Sequence, residues 1–485
     1  MPYRATAPGS AVSCDSRPLI EKLERRTLLS ALPSGFSDTV LASGLTSPSS
    51  MEFLPDGRLL MTEQSGRILM VKNGKVETTP FATLSDTDDY YERGLLGITI
   101  DPNFAQNHYV YAYYTTLNPV SHNRIVRFTA NGDVADPNSE KDIFDLPAVG
   151  SAIWHMGGAI HFGPDGKLYV SVGDYQKPTS AQDLSVLTGK ILRINSDGSI
   201  PSDDPFYATQ SGDSRAIWAY GLRNPFTTAF QPGTGVFYIN NVGENTWETL
   251  YQGKAGANYG WPTVEGPRTG TQFAQPVYLY QHTSAGGCIV GGGFYDAVTQ
   301  QFPATYAHQY FFSDFAQGWL KTLNPTTHAV GNFATGYSFP TAVRVGPDGG
   351  IWVLTRGGPT GGLRPGLGQL HEIKYTAAAQ PTTILGHVIN DINKNGVWDS
   401  GDKRLSGWTV YIDSNNNGKL DSGELKATTD SNGAVGFWKL KAGTYVVRLV
   451  APAGWSATNP KTGKFTVIII AGQTKSVVFS ETRIG

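Results

Sequence analysis

The chain has 485 residues, a formal net charge of −2 and 16% charged residues. This balance creates no basic face, so a nucleic-acid partner is not expected. The 57 glycines, 29 prolines and 11% aromatic residues suit many short strands joined by tight turns, and they argue against a helical bundle. No run of 18 apolar residues occurs, so no membrane-spanning helix is expected. The length suits one large β domain followed by a small one.

Residues 1–35 are predicted to be a leader that lies outside the fold. Residues 21–30 read Glu-Lys-Leu-Glu-Arg-Arg-Thr-Leu-Leu-Ser, which resembles the Leu-Glu-Pro-Arg-x-Leu-Leu-Ser leader motif of exported planctomycete proteins, with Arg25 in place of the proline. The apolar stretch after the arginine pair is shorter than the core of a standard signal peptide. Because the calcium motifs described below suit an extracellular setting, we expect an exported protein that is periplasmic, extracellular or attached to the cell surface.

A pattern of turn and strand recurs within residues 36–376. Residues 53–61, 162–170 and 345–353 each contain a Pro-Asp-Gly turn followed by a strand rich in aromatic and branched residues. Proline presets φ, aspartate hydrogen-bonds the turn backbone and glycine accepts a positive φ. Looser copies begin at residues 100 and 230, and a sixth strand signal covers 309–323. Six such units predict a six-bladed β-propeller, and the alternative is a sandwich of unrelated hairpins.

The composition changes after the propeller. Residues 377–383 are expected to be a linker, and residues 384–485 alternate in the manner of strands. This spacing over about 100 residues predicts a small β-sandwich. Its expected strands are 384–389, 409–412, 433–438, 444–450, 464–470 and 475–480. Trp398 and Trp408 are interpreted as core residues, and the alternative is a platform for a carbohydrate.

Two segments of this sandwich match a twelve-residue calcium loop. Such a loop has side-chain oxygens at positions 1, 3, 5, 9 and 12, a backbone carbonyl at position 7 and glycine at position 6. The predicted ligands of the first loop are Asp391, Asn393, Asn395, Val397, Asp399 and Asp402, and those of the second are Asp413, Asn415, Asn417, Lys419, Asp421 and Glu424. The alternative is an Asn/Gly-rich turn without metal.

Strands, not helices, flank both loops, so they are not an EF-hand pair. The module resembles the B-like repeat domains of bacterial surface adhesins. That resemblance implies a structural role for calcium and attachment to the cell surface. Without the ion, the carboxylates clustered in each loop would repel one another.

Four segments of the propeller carry residues suited to redox chemistry: 91–98, 154–158, 221–225 and 241–262. His155 lies beside a Gly-Gly turn at the tip of a blade, where a histidine can act as a general base near neutral pH. Arg223 and Asn224 can hold and polarise a quinone oxygen through charge-assisted hydrogen bonds. The backbone carbonyls of Gly243 and Glu244 can bind a calcium ion that acts as a Lewis acid.

Together and in this order, the four segments are similar to the soluble glucose/sorbosone dehydrogenases, which are six-bladed propellers. The resemblance covers residues 36–375. It implies a general base, a pair of residues on the reactive carbonyl of pyrroloquinoline quinone (PQQ), two carbonyl ligands of an active-site calcium, and residues beside the sugar. His155 is the implied base, and Arg223 and Asn224 are the implied pair on the PQQ carbonyl. Gly243 and Glu244 are the implied calcium ligands. Glu92 and its neighbour Arg93 are the implied residues beside the sugar.

The chain departs from the family where PQQ carboxylates are held. The lysine position of the family falls near Ala316, and its two arginine positions fall near Phe339 and Thr341. None of these residues is basic. The candidates to replace them are Arg344 and Arg356. A further departure is Trp154, which precedes the histidine where the best-known enzyme has an aspartate.

Three functions therefore remain open. The first is an exported PQQ- and calcium-dependent dehydrogenase of an aldose, with hydride passing to the quinone and electrons to an external acceptor. The second is a non-catalytic propeller that binds glycans or a protein partner at the cell surface, and the missing basic anchors favour it. The third, a calcium-dependent lactonase or esterase, rests on fold analogy alone. His161, His282 and His308 lie in separate segments and are interpreted as structural.

Overall fold

A computed structural model of the chain describes residues 31–375, 382–399, 401–470 and 472–484. The predicted leader motif at 21–30 and residues 377–381 of the predicted linker lie outside the described residues. The chain separates into two compact units, one built mainly from residues 38–374 and the other mainly from residues 375–485. The strand that opens the second unit begins at Thr382, which is buried, so strand structure starts inside the segment expected to be a linker.

The larger unit consists of six separate sheets in which consecutive strands pair antiparallel. Strand β1 (Phe36–Leu45) precedes the first sheet. The first sheet contains β2 (Pro48–Phe53), β3 (Leu59–Glu63), β4 (Arg67–Lys72), β5 (Lys75–Val76) and β6 (Ala82–Thr83); the second contains β7 (Leu95–Ile100), β8 (Tyr109–Thr116), β9 (His122–Asn131), β10 (Val134–Ala135) and β11 (Lys141–Ala148). The third contains β12 (Ile160–Phe162), β13 (Leu168–Val172), β14 (Lys190–Ile194) and β15 (Ile217–Tyr220); the fourth contains β16 (Asn224–Phe230), β17 (Phe237–Val242), β18 (Trp247–Gln252) and β19 (Pro276–Gln281). The fifth contains β20 (Ile289–Phe294), β21 (Tyr310–Asp314), β22 (Trp319–Leu323) and β23 (Val330–Thr335); the sixth contains β24 (Pro340–Val345), β25 (Ile351–Thr355) and β26 (Gly368–Tyr375).

Helical structure is sparse in the described part of the chain. It consists of one turn of α-helix, α1 (Phe104–Asn107), and three 3₁₀ turns, Pro178–Gln182, Gly212–Ala216 and Ala304–Tyr306.

The six sheets confirm the predicted all-β, six-bladed β-propeller. In the sixth blade the strand order is β1-β26-β25-β24, so the N-terminal strand completes the last blade. This pairing joins the start of the propeller chain to its last blade and so closes the ring. Apolar side chains fill the space between neighbouring blades, as Tyr113 and Leu96 of the second blade do against Val170 of the third.

The repeated turns define the two faces of the ring. The three Pro-Asp-Gly turns join β2 to β3, β12 to β13 and β24 to β25, and the looser copies join β7 to β8 and β16 to β17. Each is thus the turn between the first two strands of its blade, on what we term the turn face. Because strands alternate in direction, the connections between blades and those between second and third strands lie on the other face, termed the site face.

The smaller unit confirms the predicted β-sandwich. Its strands are β27 (Thr382–Asn390), β28 (Lys403–Arg404), β29 (Thr409–Ile412), β30 (Lys426–Thr428), β31 (Ala434–Leu440), β32 (Gly443–Val450), β33 (Trp455–Asn459), β34 (Lys464–Ile469) and β35 (Thr474–Arg483). One sheet has the order β28-β27-β35-β33, with β31 also beside β27, and the other has the order β30-β29-β32-β34. Buried residues such as Ile384, Val410 and Phe479 form the core. All six expected strands are present.

The two tryptophans of the sandwich differ from each other. Trp408 is buried in the core, as predicted. Trp398 is 37% exposed, so its interpretation as a core residue is wrong. It follows the loop residue Val397, and its ring lies against that of His387, with 4.9 Å between centroids, and beneath the guanidinium of Arg404. The predicted calcium loop therefore holds this ring at the surface.

Candidate active site and calcium loops

His155 lies on the site face, in the connection between β11 and β12. Its φ of +66° is in the left-handed region, which side chains rarely adopt and which is concentrated at functional positions. Two glycines make this conformation possible. Gly157 has a φ of +69°, and a Cβ on Gly173 would lie 1.8 Å from the carbonyl oxygen of His155. These glycines thus allow the backbone of His155 to lie against the end of strand β13.

A buried carboxylate orients the ring of His155. Its Nδ1 lies 2.6 Å from Oδ1 of Asp174, whose side chain is fully buried in the connection between β13 and β14. Nε1 of Trp261 donates to the other oxygen of Asp174 over 2.9 Å. A carboxylate accepts hydrogen bonds, so it favours the tautomer with the proton on Nδ1 and the lone pair on Nε2. This arrangement leaves Nε2 of His155 as the ring nitrogen that can accept a proton.

Glu92 holds the backbone of His155. Its Oε2 accepts the N–H of His155 over 2.5 Å. Burial raises the pKa of Glu92, and the neighbouring His155 and Arg223 lower it only in part. The predicted base and the predicted sugar-side residue thus lie in direct contact.

Arg93, which was predicted beside the substrate, contacts the connection that leads to His155. It is buried, and its guanidinium donates to the carbonyls of Gly150 and Ala152 and to Asp88 over 2.6–2.9 Å. These partners occupy all three nitrogens. The reason is local, because Arg93 packs under the connection that leads to His155. Arg93 therefore positions this connection through bonds made within the protein.

Arg223 and Asn224 extend the site towards the fourth blade. Nη1 of Arg223 donates to the carbonyl of Gly243 over 2.5 Å, and its guanidinium lies 5.7 Å from the ring centroid of Trp261. Asn224 is buried, and its Oδ1 accepts the N–H of Gly157 over 3.0 Å. Nε of Arg223 is buried without a hydrogen-bond partner among the described residues. That orphaned donor is what an acceptor on a bound ligand would satisfy.

The turn that carries Gly243 and Glu244 is held by a residue that sequence reasoning missed. Oε1 of Glu265 accepts the N–H groups of residues 244, 245, 246 and 247 over 2.9–3.2 Å. Burial raises the pKa of Glu265, but these four bonds outweigh it and lower the pKa overall. A carbonyl oxygen has two lone pairs, so the Gly243 carbonyl retains one beside the bond from Arg223. Carbonyl oxygens are ligands that a hard cation such as calcium prefers.

The structure separates the two candidate replacement arginines. Arg356 lines a small cavity together with Glu92 and Thr341, and its backbone N–H donates to the carbonyl of Phe339 over 2.8 Å. It thus lies beside two of the positions where the family has arginine. Its Nε is buried without a partner in the described chain, and burial lowers its pKa to about 10. Arg344 lies at the other end of the ring channel, towards the turn face, and does not reach this site.

The two predicted calcium loops have the same internal hydrogen bonds. In each, the carboxylate at position 1 accepts the N–H groups of positions 5 and 6, and the amides at positions 3 and 5 donate to the carboxylate at position 9. The carboxylates at position 12, Asp402 and Glu424, accept the N–H groups of positions 2 and 9. Both loops are therefore folded in the same ligand order.

One contact distinguishes the second loop. Nε of Arg448 donates to Oδ2 of Asp413 over 2.6 Å, whereas the equivalent Asp391 has the neutral Thr458 beside it. Nowhere in the described ranges do three His, Cys, Asp or Glu side chains converge as a metal cluster. Calcium in these loops would therefore also need the amide oxygens and the backbone carbonyls of Val397 and Lys419.

Comparison with known proteins bears on both units. Residues 45–363 match the family model described as Glucose / Sorbosone dehydrogenase. The chain belongs to this family. Aldose sugar dehydrogenase YliI of Escherichia coli K12 is 27% identical over 351 residues, which are 67% of this chain and 91% of that protein. The PQQ-bound structure of aldose sugar dehydrogenase from Streptomyces coelicolor is 26% identical with a TM-score of 0.58, and the match covers 71% of this chain and 99% of that one.

Residues 383–468 match the model described as SdrD B-like domain, as the resemblance of the sandwich implies. Serine-aspartate repeat-containing protein D of Staphylococcus aureus Newman is 40% identical over 88 residues, which are 18% of this chain and 6% of that protein. No helix within the described ranges is long and apolar enough to cross a membrane.

The sequence motifs located His155, Glu92, Arg223, Asn224 and Gly243, which the structure brings together on the site face. They did not single out Asp174 and Glu265, which lie outside the four motif segments, and they gave no role to Trp261, which lies within segment 241–262. The available signal was weak: Asp174 follows a glycine at the end of an apolar strand, and this pattern is common in turns.

Proposed function

We propose that this member of the glucose/sorbosone dehydrogenase family is an exported enzyme that oxidises an aldose with PQQ and calcium. One observation carries the proposal. His155 is held between Asp174 and Glu92, on the same face of the ring as Arg223 and its partner Gly243. A base, a cationic donor and a carbonyl ligand for calcium are the parts that hydride transfer from an alcohol requires.

The residues of the site face suit an anionic quinone. The buried Nε atoms of Arg223 and Arg356 have no protein partner in the described chain, and carbonyl and carboxylate oxygens of a ligand would satisfy them. Arg356 would hold an acidic group in place of the family anchors, and the carbonyls of Gly243 and Glu244 would hold calcium. When bound, PQQ supplies the two-electron acceptor and calcium supplies the Lewis acid.

The protein's own contribution is proton removal and orientation. Nε2 of His155 takes the proton of the sugar hydroxyl, and Asp174 stabilises the imidazolium that forms. Trp261 fixes Asp174, and Glu92 fixes the backbone of His155. The sugar loses one proton and one hydride, and the electrons then pass to an external acceptor.

Dye-linked oxidation of aldoses by the chain loaded with PQQ and calcium tests this mechanism. We expect His155→Ala to lower kcat by about 10²-fold or more, because the base is lost. The control is Asp183→Asn, which changes an exposed carboxylate in the connection that also carries Asp174. We expect this control to leave kcat unchanged. Full activity in His155→Ala would contradict the assignment of the base.

A non-catalytic binding propeller is the second candidate function. It is favoured by the non-basic residues Ala316, Phe339 and Thr341 at the family's cofactor anchors. The SdrD B-like unit suits either function, since it fits presentation outside the cell. A lactonase or esterase would turn over substrate with calcium and without PQQ.

A further inference from the structure

A second cavity opens on the turn face of the ring, away from His155. Its volume is about 310 Å³, near the lower end of the range for small-molecule sites, roughly 300–1,000 Å³. Its walls are mainly apolar, the carboxylate of Asp296 also lines it, and three further titratable side chains lie together at its inner end. The apolar residues are Phe230, Pro232, Phe294, Val298 and Pro347, and the inner polar residues are Glu52, His161 and Arg344.

Arg344 is the centre of this polar group, and its side chain is 15% exposed. Nη1 donates to the carbonyls of Gly292 and Val343, and Nη2 lies 3.3 Å from Nε2 of His161. Nε, however, lies 3.8 Å from Oε2 of Glu52, which is too far for a hydrogen bond. One edge of the guanidinium therefore faces a carboxyl group across a gap.

Burial and the charge of Arg344 shift the pKa values of the other two polar groups, His161 and Glu52. Burial lowers the pKa of His161 well below its ordinary value, and the charge of Arg344 lowers it further. The ring is therefore neutral, and its Nε2 accepts a hydrogen bond from Arg344. Burial raises the pKa of Glu52, and Arg344 offsets this only in part. The cavity thus offers a donor and an acceptor side by side, without a surplus of positive charge.

We propose that this cavity binds a neutral, polyhydroxylated ligand of the size of a monosaccharide. A hydroxyl group donates and accepts at once, so it bridges Nε of Arg344 and Oε2 of Glu52. An anion would meet a guanidinium that already faces a carboxyl group, and an apolar ligand would leave both groups without partners. The partly exposed ring of Phe230 suits the C–H face of a sugar, as at sites where apolar walls surround a few polar groups.

The cavity is separate from the site that contains His155. Between them the ring channel narrows to a space of about 20 Å³, which holds roughly one water. His161 and Arg344 form the boundary of this narrow part as well as the inner end of the cavity. A sugar cannot pass, so binding here does not depend on PQQ or on the proposed oxidation.

Titration of the full chain with glucose, in the absence of PQQ, tests the proposal by saturation-transfer NMR. We expect saturable binding in the wild type and in His155→Ala. Val298 is fully exposed at the rim, so Val298→Arg blocks the cavity without disturbing the core, whereas Val298→Ala is the matched control that keeps binding. Glu52→Met removes the acceptor, and we expect binding about tenfold or more weaker.

Three results would overturn the proposal. Binding that is lost in His155→Ala but kept in Val298→Arg would place the sugar on the site face. Tighter binding of gluconate than of glucose would assign an anion site. No saturable signal with any sugar would remove the site altogether. A free sugar and the end of a glycan present the same hydroxyl groups, so a soluble glucan is titrated in parallel. Tighter binding of glucose would identify a free sugar as the ligand, and tighter binding of the glucan would identify a glycan end.

Discussion

Asp174 is fully buried, and its two oxygens contact His155 and Trp261. An amide at this position would keep the shape but would allow the other tautomer of the imidazole. We expect Asp174→Asn to lower kcat by about 10²–10⁴-fold with little change in KM, because the residue acts through His155 and not on the sugar. Steady-state kinetics with the Asp183→Asn control measure this. A kcat within threefold of the wild type would show that Asp174 does not position the base.

The buried carboxyl group of Glu481 in the sandwich should make the stability of the fold depend on pH. Glu481 is buried with an oxygen that has no partner among the described residues, and burial raises its pKa to about 7. The ordinary glutamate pKa is about 4.3, so the folded state binds the proton more tightly. Its stabilising contribution is fully present below about pH 4 and is lost as the pH rises through about 7.

We therefore expect Glu481→Gln to stabilise the chain by about 1–3 kcal/mol at pH 8, where the wild type holds a buried charge. The difference should vanish near pH 4. Urea unfolding in the presence of a chelator measures both values, and an equal difference at both pH values would contradict the raised pKa.

The residues of the candidate site were predictable to unequal degrees. His155 and Arg223 lie in short motifs whose glycines and proline indicate an unusual backbone conformation. Asp174 and Trp261 are 87 residues apart, and their contact arises only when the third and fourth blades are adjacent. Trp398 was misplaced because hydrophobicity alone predicts burial, whereas a metal loop can hold an aromatic ring at the surface.

At the scale of elements, the repeated turn was the most informative signal. Pro, Asp and Gly each serve a different part of one turn, so three strict copies and two looser ones located the first hairpin of five blades. Strands β28, β30 and β33 of the sandwich were not predicted. Two of them are only two or three residues long, and such segments are too short for alternation to be visible.

The two calcium loops are expected to differ in affinity. Arg448 bonds to the position-1 carboxylate of the second loop and places a positive charge beside the site where a cation would bind. We expect Arg448→Met to raise the calcium affinity of this loop several-fold, since repulsion between the two cations is removed. Titration with a competing chelator measures both loops, with Arg404→Met as a control near the first loop. Unchanged or weaker calcium binding in Arg448→Met would contradict this account.

At the scale of the whole molecule, the site exists only because the ring is closed. Glu92 precedes the second blade, His155 precedes the third, Arg223 precedes the fourth and Arg356 follows a strand of the sixth. The pairing of β1 with β26 joins the last blade to the first. Sequence could predict six blades, but it could not show that Arg356 and Arg344 point to opposite ends of the channel.

The central claim is that this chain binds PQQ although Ala316, Phe339 and Thr341 replace the basic residues that hold the cofactor in the family. The most direct measurement is an absorbance titration of the calcium-loaded full chain with PQQ. We predict saturable binding that weakens about tenfold or more in Arg356→Met, because a charge-assisted contact is lost. Absence of binding at tens of micromolar PQQ would contradict the dehydrogenase and favour a propeller that recognises a partner at the cell surface.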